Sequence, residues 1–267
     1  MRPPAPVPQP QPGGLRPTSN DRQGDLSMKY LILSAGILTL GAGVASAQDV
    51  VRMGTEGAYP PYNFINDNGE VDGFERDLGD ELCARAELTC EWVTNDWDSI
   101  IPNLTSGNYD TIIAGMSITA ERDEVIDFTQ PYIPPASSLF LGMSEDLDLD
   151  GAVIAAQTNT IQAGYIAAET GATLIEFATP DETVAAVRNG EADAVFADGD
   201  YLLPIAAEDS DLMIILDPVQ LGGGVGMGMR EGDERLEAFN AAITSMKEDG
   251  TLNALILEWF GEEAATW

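Results

Sequence analysis

Residues 152–196 have the sequence AVIAAQTNTIQAGYIAAETGATLIEFATPDETVAAVRNGEADAVF, and this stretch decides the fold class. Short apolar runs bounded by turn residues alternate here with segments whose apolar residues recur at helical spacing. The predicted elements are strand Ala152–Ala156, helix Ile161–Glu169, strand Thr173–Phe177, helix Asp181–Arg188 and strand Asp193–Phe196. Strands that alternate with helices predict an α/β fold, with mostly parallel sheets covered on both faces.

The chain before this stretch follows the same alternation, and two further helices follow it. The predicted elements are strand Val50–Thr55, helix Phe74–Ala86, strand Cys90–Val93, helix Trp97–Leu104, strand Asp110–Ala114, a short helix after Thr119, and terminal helices Leu236–Met246 and Leu252–Trp259. The two runs therefore predict two α/β lobes.

Two stretches are candidates for the connections between the lobes, namely Ser138–Met143 and the glycine-rich Gly222–Gly228. If both cross as extended strands, the terminal helices return to the first lobe, which then holds residues 48–140 and 225–267. Residues 141–224 form the second lobe, and the ligand cleft lies between the two. The run GGGVGMG lacks the Lys-Ser/Thr of a phosphate loop, so we interpret it as a hinge.

The charge balance excludes several classes of function. The chain has 12 basic and 45 acidic residues and a net charge of −33, whereas a nucleic-acid-binding protein needs an excess of Lys and Arg. Acidic residues spread over the surface keep a protein soluble and favour a monomer. Because the chain contains no histidine, we expect neither a His-based catalytic triad nor a His-based metal site, and we predict no cofactor.

The first 47 residues are predicted to lie outside the fold. Residues 1–27 are rich in Pro, Gly and Gln, which predicts disorder, and we expect translation to start at Met28. Residues 28–47 have a basic start, an apolar run and an Ala-Ser-Ala site, which predicts a signal peptide and export to the periplasm. The alternative is a disordered tail followed by an uncleaved anchor.

The two cysteines, Cys83 and Cys90, are too far apart in sequence for a CxxC redox motif. In an oxidising compartment they can form a disulfide. The alternative is a pair of buried thiols.

Seven segments carry a resemblance to a known family. They are GTEGAYPPYNF (54–64), the pattern G-x-V-x-GF-x-x-D-L (69–78), IIPNLTSGNYD (100–110), AGMSITAER (114–122), IDFTQPY (126–132), GEADAVFAD (190–198) and KEDGTLNALILEWFG (247–261). With these segments the chain resembles the periplasmic polar-amino-acid-binding proteins of ABC importers (extracellular solute-binding family 3), which include the histidine and lysine/arginine/ornithine binders. The resemblance implies a type-II periplasmic-binding-protein fold, an amino-acid ligand and delivery to the transmembrane subunits of an ABC permease. It also matches the spacing of Cys83 and Cys90 to a disulfide of the histidine binder.

The resemblance implies partners for the ligand's two backbone charges. Arg122 matches the family arginine that binds the ligand carboxylate, with Ser117 beside it and Gly115 where relatives often have serine. Asp198 matches the carboxylate that pairs with the ligand amino group. The alternatives are a surface arginine in a charged helix and an aspartate that caps the next helix.

Two aromatic residues, one threonine and one carboxylate complete the predicted site. Tyr59 and Trp97 match aromatic residues that clamp it, although Trp97 also continues an apolar helix face. Thr160 matches a family threonine, with Asn159 in place of a glycine if its φ is positive, whereas the neighbouring Ile161 departs from the family pattern. Glu56 matches an acidic residue that meets a basic side chain, so a basic or opine-like ligand is favoured over neutral polar and acidic amino acids.

Two other functions are compatible with this fold. A cyclohexadienyl-type dehydratase could use Glu56 and Asp198 as acid and base, but no sequence feature favours it, so we expect no enzymatic activity. A ligand-sensing module is the second alternative.

Overall fold

The computed structural model describes residues 50–267. The predicted disordered segment and signal peptide lie outside the described residues. The strands are β1 (Val51–Thr55), β2 (Ala58–Tyr59), β3 (Asn63–Ile65), β4 (Val71–Asp72), β5 (Cys90–Thr94), β6 (Thr111–Ile112), β7 (Asp127–Phe128), β8 (Ser137–Gly142), β9 (Val153–Gln157), β10 (Thr173–Phe177), β11 (Ala194–Asp198), β12 (Met213–Gln220) and β13 (Gly228–Met229). The helices are α1 (Phe74–Arg85), α2 (Ile100–Thr105), α3 (Ala120–Asp123), α4 (Ile161–Glu169), α5 (Pro180–Arg188), α6 (Gly199–Glu208), α7 (Leu236–Asp249) and α8 (Thr251–Phe260), with a 3-10 turn at Trp97–Ser99.

The first sheet has the strand order β5-β1-β6-β13-β7. β1 runs parallel to β5 and β6, whereas β13 runs antiparallel to β6 and β7. Helices α7 and α8 pack against each other and against α1. Leu78 and Leu82 of α1 share one buried apolar core with Phe239 and Ile243 of α7. The last two helices therefore cover the same sheet that the first strand begins.

The second sheet has the order β10-β9-β11-β8-β12. β9 pairs in parallel with β10 and β11, while β8 pairs antiparallel with β11 and β12. Its core includes Phe140 and Phe196, whose rings stack with centroids 4.1 Å apart. Each sheet has its own helices, which is the two-lobed α/β fold that the sequence predicts.

A small three-stranded sheet, β2-β3-β4, follows β1 and was not predicted. It ends at Gly73, where the chain turns into α1 with a φ of 114°. A side-chain carbon at this position would lie 2.6 Å from the carbonyl oxygen of Tyr62, so only glycine fits. The close turn sets Tyr62 beside the start of α1, where its ring meets that of Phe74 edge-on.

The disulfide between Cys83 and Cys90 is confirmed, with its Cα atoms 6.2 Å apart. It joins α1 to the first residue of β5. Within residues 50–267, no helix has the length and apolar character that crossing a membrane requires.

The prediction of mostly parallel sheets is wrong. Half of the strand pairings within the two five-stranded sheets are antiparallel, because β8, β12 and β13 run against their neighbours. The stretch predicted to cross at residues 138–143 is indeed extended, but as β8 it is paired on both sides. β12 was missed because a bulge between Ile215 and Val219 interrupts its alternation. The lobe boundaries at residues 140 and 224 stay a prediction.

Candidate ligand-binding site

A cavity lies where the carboxyl ends of strands from the two sheets face each other. Glu56 follows β1, Gly115 lies beyond β6, and Asp198 ends β11. All the ligand-binding residues predicted from the sequence line this cavity, namely Glu56, Tyr59, Trp97, Gly115, Ser117, Arg122, Thr160 and Asp198. Their contact with a ligand stays a prediction.

Arg122 is half-buried and lines the cavity. Thr119 caps α3 by accepting a hydrogen bond from the Arg122 backbone N–H, at 3.2 Å. The guanidinium donates to the carbonyl oxygen of Ser117 at 2.8 Å and to that of Asn159 at 3.3 Å, and it lies 5.5 Å from the centre of the Trp97 ring. Burial lowers the pKa of Arg122 to about 10, so the group stays positive at neutral pH.

No carboxylate of the described chain lies within 4.0 Å of the Arg122 guanidinium. Both of its protein partners are neutral carbonyl groups. Partial burial of a cation without an ion pair is unfavourable, and an anionic ligand group would compensate for it.

Asp198 stands at the N-cap position of α6, yet its side chain forms no capping hydrogen bond. Instead, it accepts hydrogen bonds from the Tyr59 hydroxyl at 2.8 Å and from Nε2 of Gln162 at 2.7 Å. Burial raises the pKa of Asp198 to about 6, against the opposing effect of the Tyr59 hydrogen bond. The carboxylate therefore faces the cavity rather than the helix that it precedes.

Glu56 is the second carboxylate of the cavity. Its Oε1 accepts a hydrogen bond of 2.6 Å from Nε2 of Gln157, the last residue of β9. Burial raises the pKa of Glu56 to about 7, and the Gln157 hydrogen bond opposes this shift. A cationic ligand group beside Glu56 would restore the charged form.

Aromatic rings enclose the cavity. Tyr59 stacks on Tyr201 with the ring centroids 4.7 Å apart, so rings from the two halves of the fold meet. Trp97 lines the cavity and also belongs to a core cluster with Ile100 and Leu104. Trp97 is therefore both a cavity-lining residue and a core residue, so its two interpretations are compatible.

The Thr160 hydroxyl already forms two hydrogen bonds within its own segment of the chain. Its hydroxyl caps α4 by accepting from the Ala163 N–H at 3.2 Å, and it donates to the carbonyl oxygen of Gln157 at 2.7 Å. Asn159 has a φ of 56°, the left-handed value that replacing a glycine requires. Ile161 adds an apolar wall where the family pattern has a hydroxyl.

Gly115 and the missed residue Glu75 belong to one hydrogen-bonded unit. Gly115 has a φ of 63°, and its N–H donates to Glu75 at 2.7 Å. The fully buried Glu75 also accepts from Nδ2 of Asn63 at 2.7 Å and from the Tyr132 hydroxyl. Asn63 in turn accepts from the N–H of Gly57. Glu75 therefore ties together the two loops that carry Glu56 and Ser117.

Three polar lining residues were missed by the sequence analysis, namely Gln157, Gln162 and Thr183. Gln157 and Gln162 lie on either side of the loop in which the sequence analysis predicted only Thr160 as a contact. A usable signal was present for Gln157, because a polar residue ends an otherwise apolar strand. Among the described residues, no cluster of three or more Asp, Glu or Cys is arranged to hold a metal.

Comparisons with known proteins agree with this geometry. A periplasmic His/Glu/Gln/Arg/opine family-binding protein from Silicibacter pomeroyi, solved in complex with lysine, is 74% identical over 81% of this chain and 100% of its own, with a TM-score of 0.79. The octopine-binding periplasmic protein of Rhizobium meliloti is 29% identical, with 87% of this chain and 98% of that protein covered. The lysine/arginine/ornithine-binding periplasmic protein of Escherichia coli is 30% identical, covering 88% and 96%.

These relatives are named as binding proteins, and several are named as periplasmic. The family model of the bacterial extracellular solute-binding proteins, family 3, matches residues 51–262, which is almost the whole of the described chain. The resemblance inferred from the sequence motifs is thereby confirmed, together with the two-lobed fold. The chain belongs to the bacterial extracellular solute-binding proteins of family 3.

Proposed function

We propose that this protein binds a basic amino acid in the periplasm and delivers it to an ABC permease. The observation that carries the proposal is the charge of the cavity lining. Among the described residues that line the cavity, the acidic and basic side chains are two carboxylates, Glu56 and Asp198, and one cation, Arg122. A basic amino acid presents the reverse set, one carboxylate and two cations, so every charge finds a partner of opposite sign.

Each group has a separate role in this proposal. Arg122 receives the ligand carboxylate, because its guanidinium is a half-buried cation without an ion pair. Asp198 receives the α-ammonium, and Tyr59 and Gln162 hold its carboxylate in place. Glu56 receives the cationic end of the ligand side chain, while Tyr59 and Trp97 contact the aliphatic part.

The same charge argument separates an amino acid from an opine. An opine carries an additional carboxylate on its amino nitrogen, which would approach Asp198 in place of a primary ammonium. Among the described residues that line the cavity, Arg122 is the one cation, so this second carboxylate would have no positive partner. The similarity to the octopine-binding protein does not outweigh this, since the lysine/arginine/ornithine binder is equally similar.

Export and delivery are supported by the family and by the predicted signal peptide at residues 28–47. The relatives include periplasmic proteins and binding proteins of ABC transporters. Their names also support binding rather than catalysis.

Isothermal titration of the folded chain with lysine, ornithine, arginine, histidine, glutamine, glutamate and octopine tests the proposal. We expect binding of basic amino acids, which Glu56→Gln weakens by removing one charge of the pair. Glu191→Gln is the matched control, because Glu191 is exposed and does not line the cavity. Tight binding of glutamate or glutamine without heat from any basic amino acid would contradict the proposal, as would turnover of prephenate.

A further inference from the structure

Gln157 and Glu56 meet across the cleft at the end of the cavity where the proposed ligand side chain terminates. Glu56 follows β1 of the first sheet, and Gln157 is the last residue of β9 in the second. Gln157 is 9% exposed, and its Nε2 lies 2.6 Å from Oε1 of Glu56. This contact joins side chains that are 101 positions apart in sequence.

The Gln157 amide is held in one orientation. Its Nε2 also donates to the carbonyl oxygen of Ala178, at 3.1 Å. A primary amide nitrogen has two hydrogens, so both are in use. Turning the amide over would place its oxygen against two acceptors, the Ala178 carbonyl and the Glu56 carboxylate. Gln157 is therefore a fixed donor that reaches Glu56 from the opposite lobe.

This arrangement leaves the two oxygens of Glu56 unequal. Oε1 accepts one hydrogen bond, from Gln157, whereas Oε2 accepts no hydrogen bond from the described residues. A guanidinium binds a carboxylate best as a planar fork that uses both oxygens in parallel. An ammonium is a compact charge whose donors point in different directions, so it needs one oxygen of a given carboxylate.

We propose that Gln157 is a specificity-determining residue that makes the site prefer an ammonium side chain, as in lysine or ornithine, over the guanidinium of arginine. This inference rests on the proposed function, because it assumes that the ligand side chain ends at Glu56. Gln157 acts through Glu56, because its hydrogen bond uses one of the two lone pairs of Oε1 and so makes that oxygen a weaker acceptor for the second arm of a guanidinium fork.

The test is the ratio of the dissociation constants for arginine and lysine, measured by titration for the native chain and for Gln157→Leu. Leucine removes the donor and frees Oε1. We expect the native chain to bind lysine or ornithine more tightly than arginine. The substitution should lower the arginine-to-lysine ratio about tenfold, the change that one hydrogen bond to a charged group supports.

A second variant, Gln157→Asn, retains the amide but is one methylene too short to reach Glu56, and it should lower the ratio in the same direction. It carries the test if the leucine variant fails to fold. Gln220→Leu is the control, because Gln220 is exposed on β12 and bonds to the Ala136 carbonyl away from the cavity.

The outcomes separate this inference from the proposed function. A native preference for arginine, or a ratio that changes less than about twofold in both Gln157 variants, would overturn the role of Gln157 while basic amino acids still bind. If the native chain binds no basic amino acid, the proposed function itself fails.

Discussion

Single residues in the cavity carry charges that the protein alone does not balance. Arg122 is hydrogen-bonded to two carbonyl oxygens, and Glu56 and Asp198 are hydrogen-bonded to neutral donors. Burial shifts the pKa of each toward its neutral form, and for Arg122 and Asp198 it outweighs their attraction to each other. The free cavity is therefore electrostatically unfavourable in a way that a ligand of matching charge relieves.

Arg122→Ala should abolish measurable binding while the circular dichroism spectrum stays unchanged. The ligand carboxylate would then be buried without a cation, which costs about 2 to 5 kcal/mol in affinity. Titration calorimetry measures the loss. Arg76→Ala is the matched control, because Arg76 bonds to Asp80 on the surface of α1 and should leave the affinity unchanged. Near-native affinity of the Arg122 variant would mean that the carboxylate binds elsewhere.

The stabilisation that a basic ligand provides should increase as the pH rises from 5 to 8. Burial raises the pKa of Glu56 from 4.5 to about 7 and that of Asp198 from 3.8 to about 6. At a pH between the ordinary pKa and the raised pKa of each group, the folded, ligand-free chain holds a proton that the unfolded chain has released. This part of its stability is therefore lost as the pH rises.

A cationic ligand favours the charged carboxylates and removes that loss. The measurement is the increase in melting temperature with saturating lysine, followed against pH. Glu56→Gln should flatten the dependence near pH 7, where this group titrates. An increase that is the same at pH 5 and pH 8 would contradict the expected linkage.

At the scale of elements, the site is built from the ends of strands and the first turns of helices. β9 and β11 run parallel and deliver Gln157 and Asp198 at the same edge of the second sheet, while the carboxyl end of β1 in the first sheet leads to Glu56. The start of α4 places Gln162 against Asp198, with a bond of 2.7 Å. Destabilising the start of α4 would therefore displace Gln162, which holds the Asp198 carboxylate of the proposed ammonium site.

Thr160→Ala should lower the free energy of unfolding by about 1 kcal/mol, because it removes the α4 cap. It should also weaken ligand binding, since the capped turn holds Gln162. Thr179→Ala is the matched control, because Thr179 caps α5 without lining the cavity. Urea denaturation should show similar losses for both variants, and titration should show weaker binding for Thr160→Ala alone. Equal affinity of the two variants would limit Thr160 to a structural role.

At the scale of the whole molecule, side chains from the two halves of the fold meet directly. Tyr59 donates to Asp198, Tyr62 donates to Asp200 at 2.9 Å, and Gln157 donates to Glu56. Of these residues, Tyr62 and Asp200 do not line the cavity. Their hydrogen bond therefore joins the two halves of the fold outside the cavity.

Tyr62→Phe should shift the free protein toward an open arrangement, because it removes a hydrogen bond that exists only when the lobes are closed. The dissociation constant should rise about fivefold, as the loss of roughly 1 kcal/mol implies. Small-angle scattering should show a larger radius of gyration for the free variant and a native value with saturating ligand. Tyr165→Phe is the control, because the Tyr165 hydroxyl forms no hydrogen bond with the described residues and its ring packs on Phe196. A free variant as compact as the native chain would contradict this role of Tyr62.

The sequence by itself determined the features that depend on local pattern. Helical periodicity and apolar runs predicted α4 and β10 with their observed bounds, because each pattern is contained within about ten consecutive residues. The ordered motifs identified the family, and through it the cysteine pair and the positions that line the cavity.

Only the tertiary structure decided which side chains meet across the cleft. The Gln157–Glu56 and Tyr59–Asp198 contacts join residues 101 and 139 positions apart, and no local pattern encodes such a pairing. The buried Glu75 was missed for the same reason, since its partners are Asn63 of β3, Gly115 beyond β6 and the distant Tyr132. The antiparallel direction of β8, β12 and β13 likewise depends on the path of the whole chain between the sheets, not on a local pattern. Periodicity indicates which face of an element is apolar, whereas the partner of a polar group depends on where the folded chain places it.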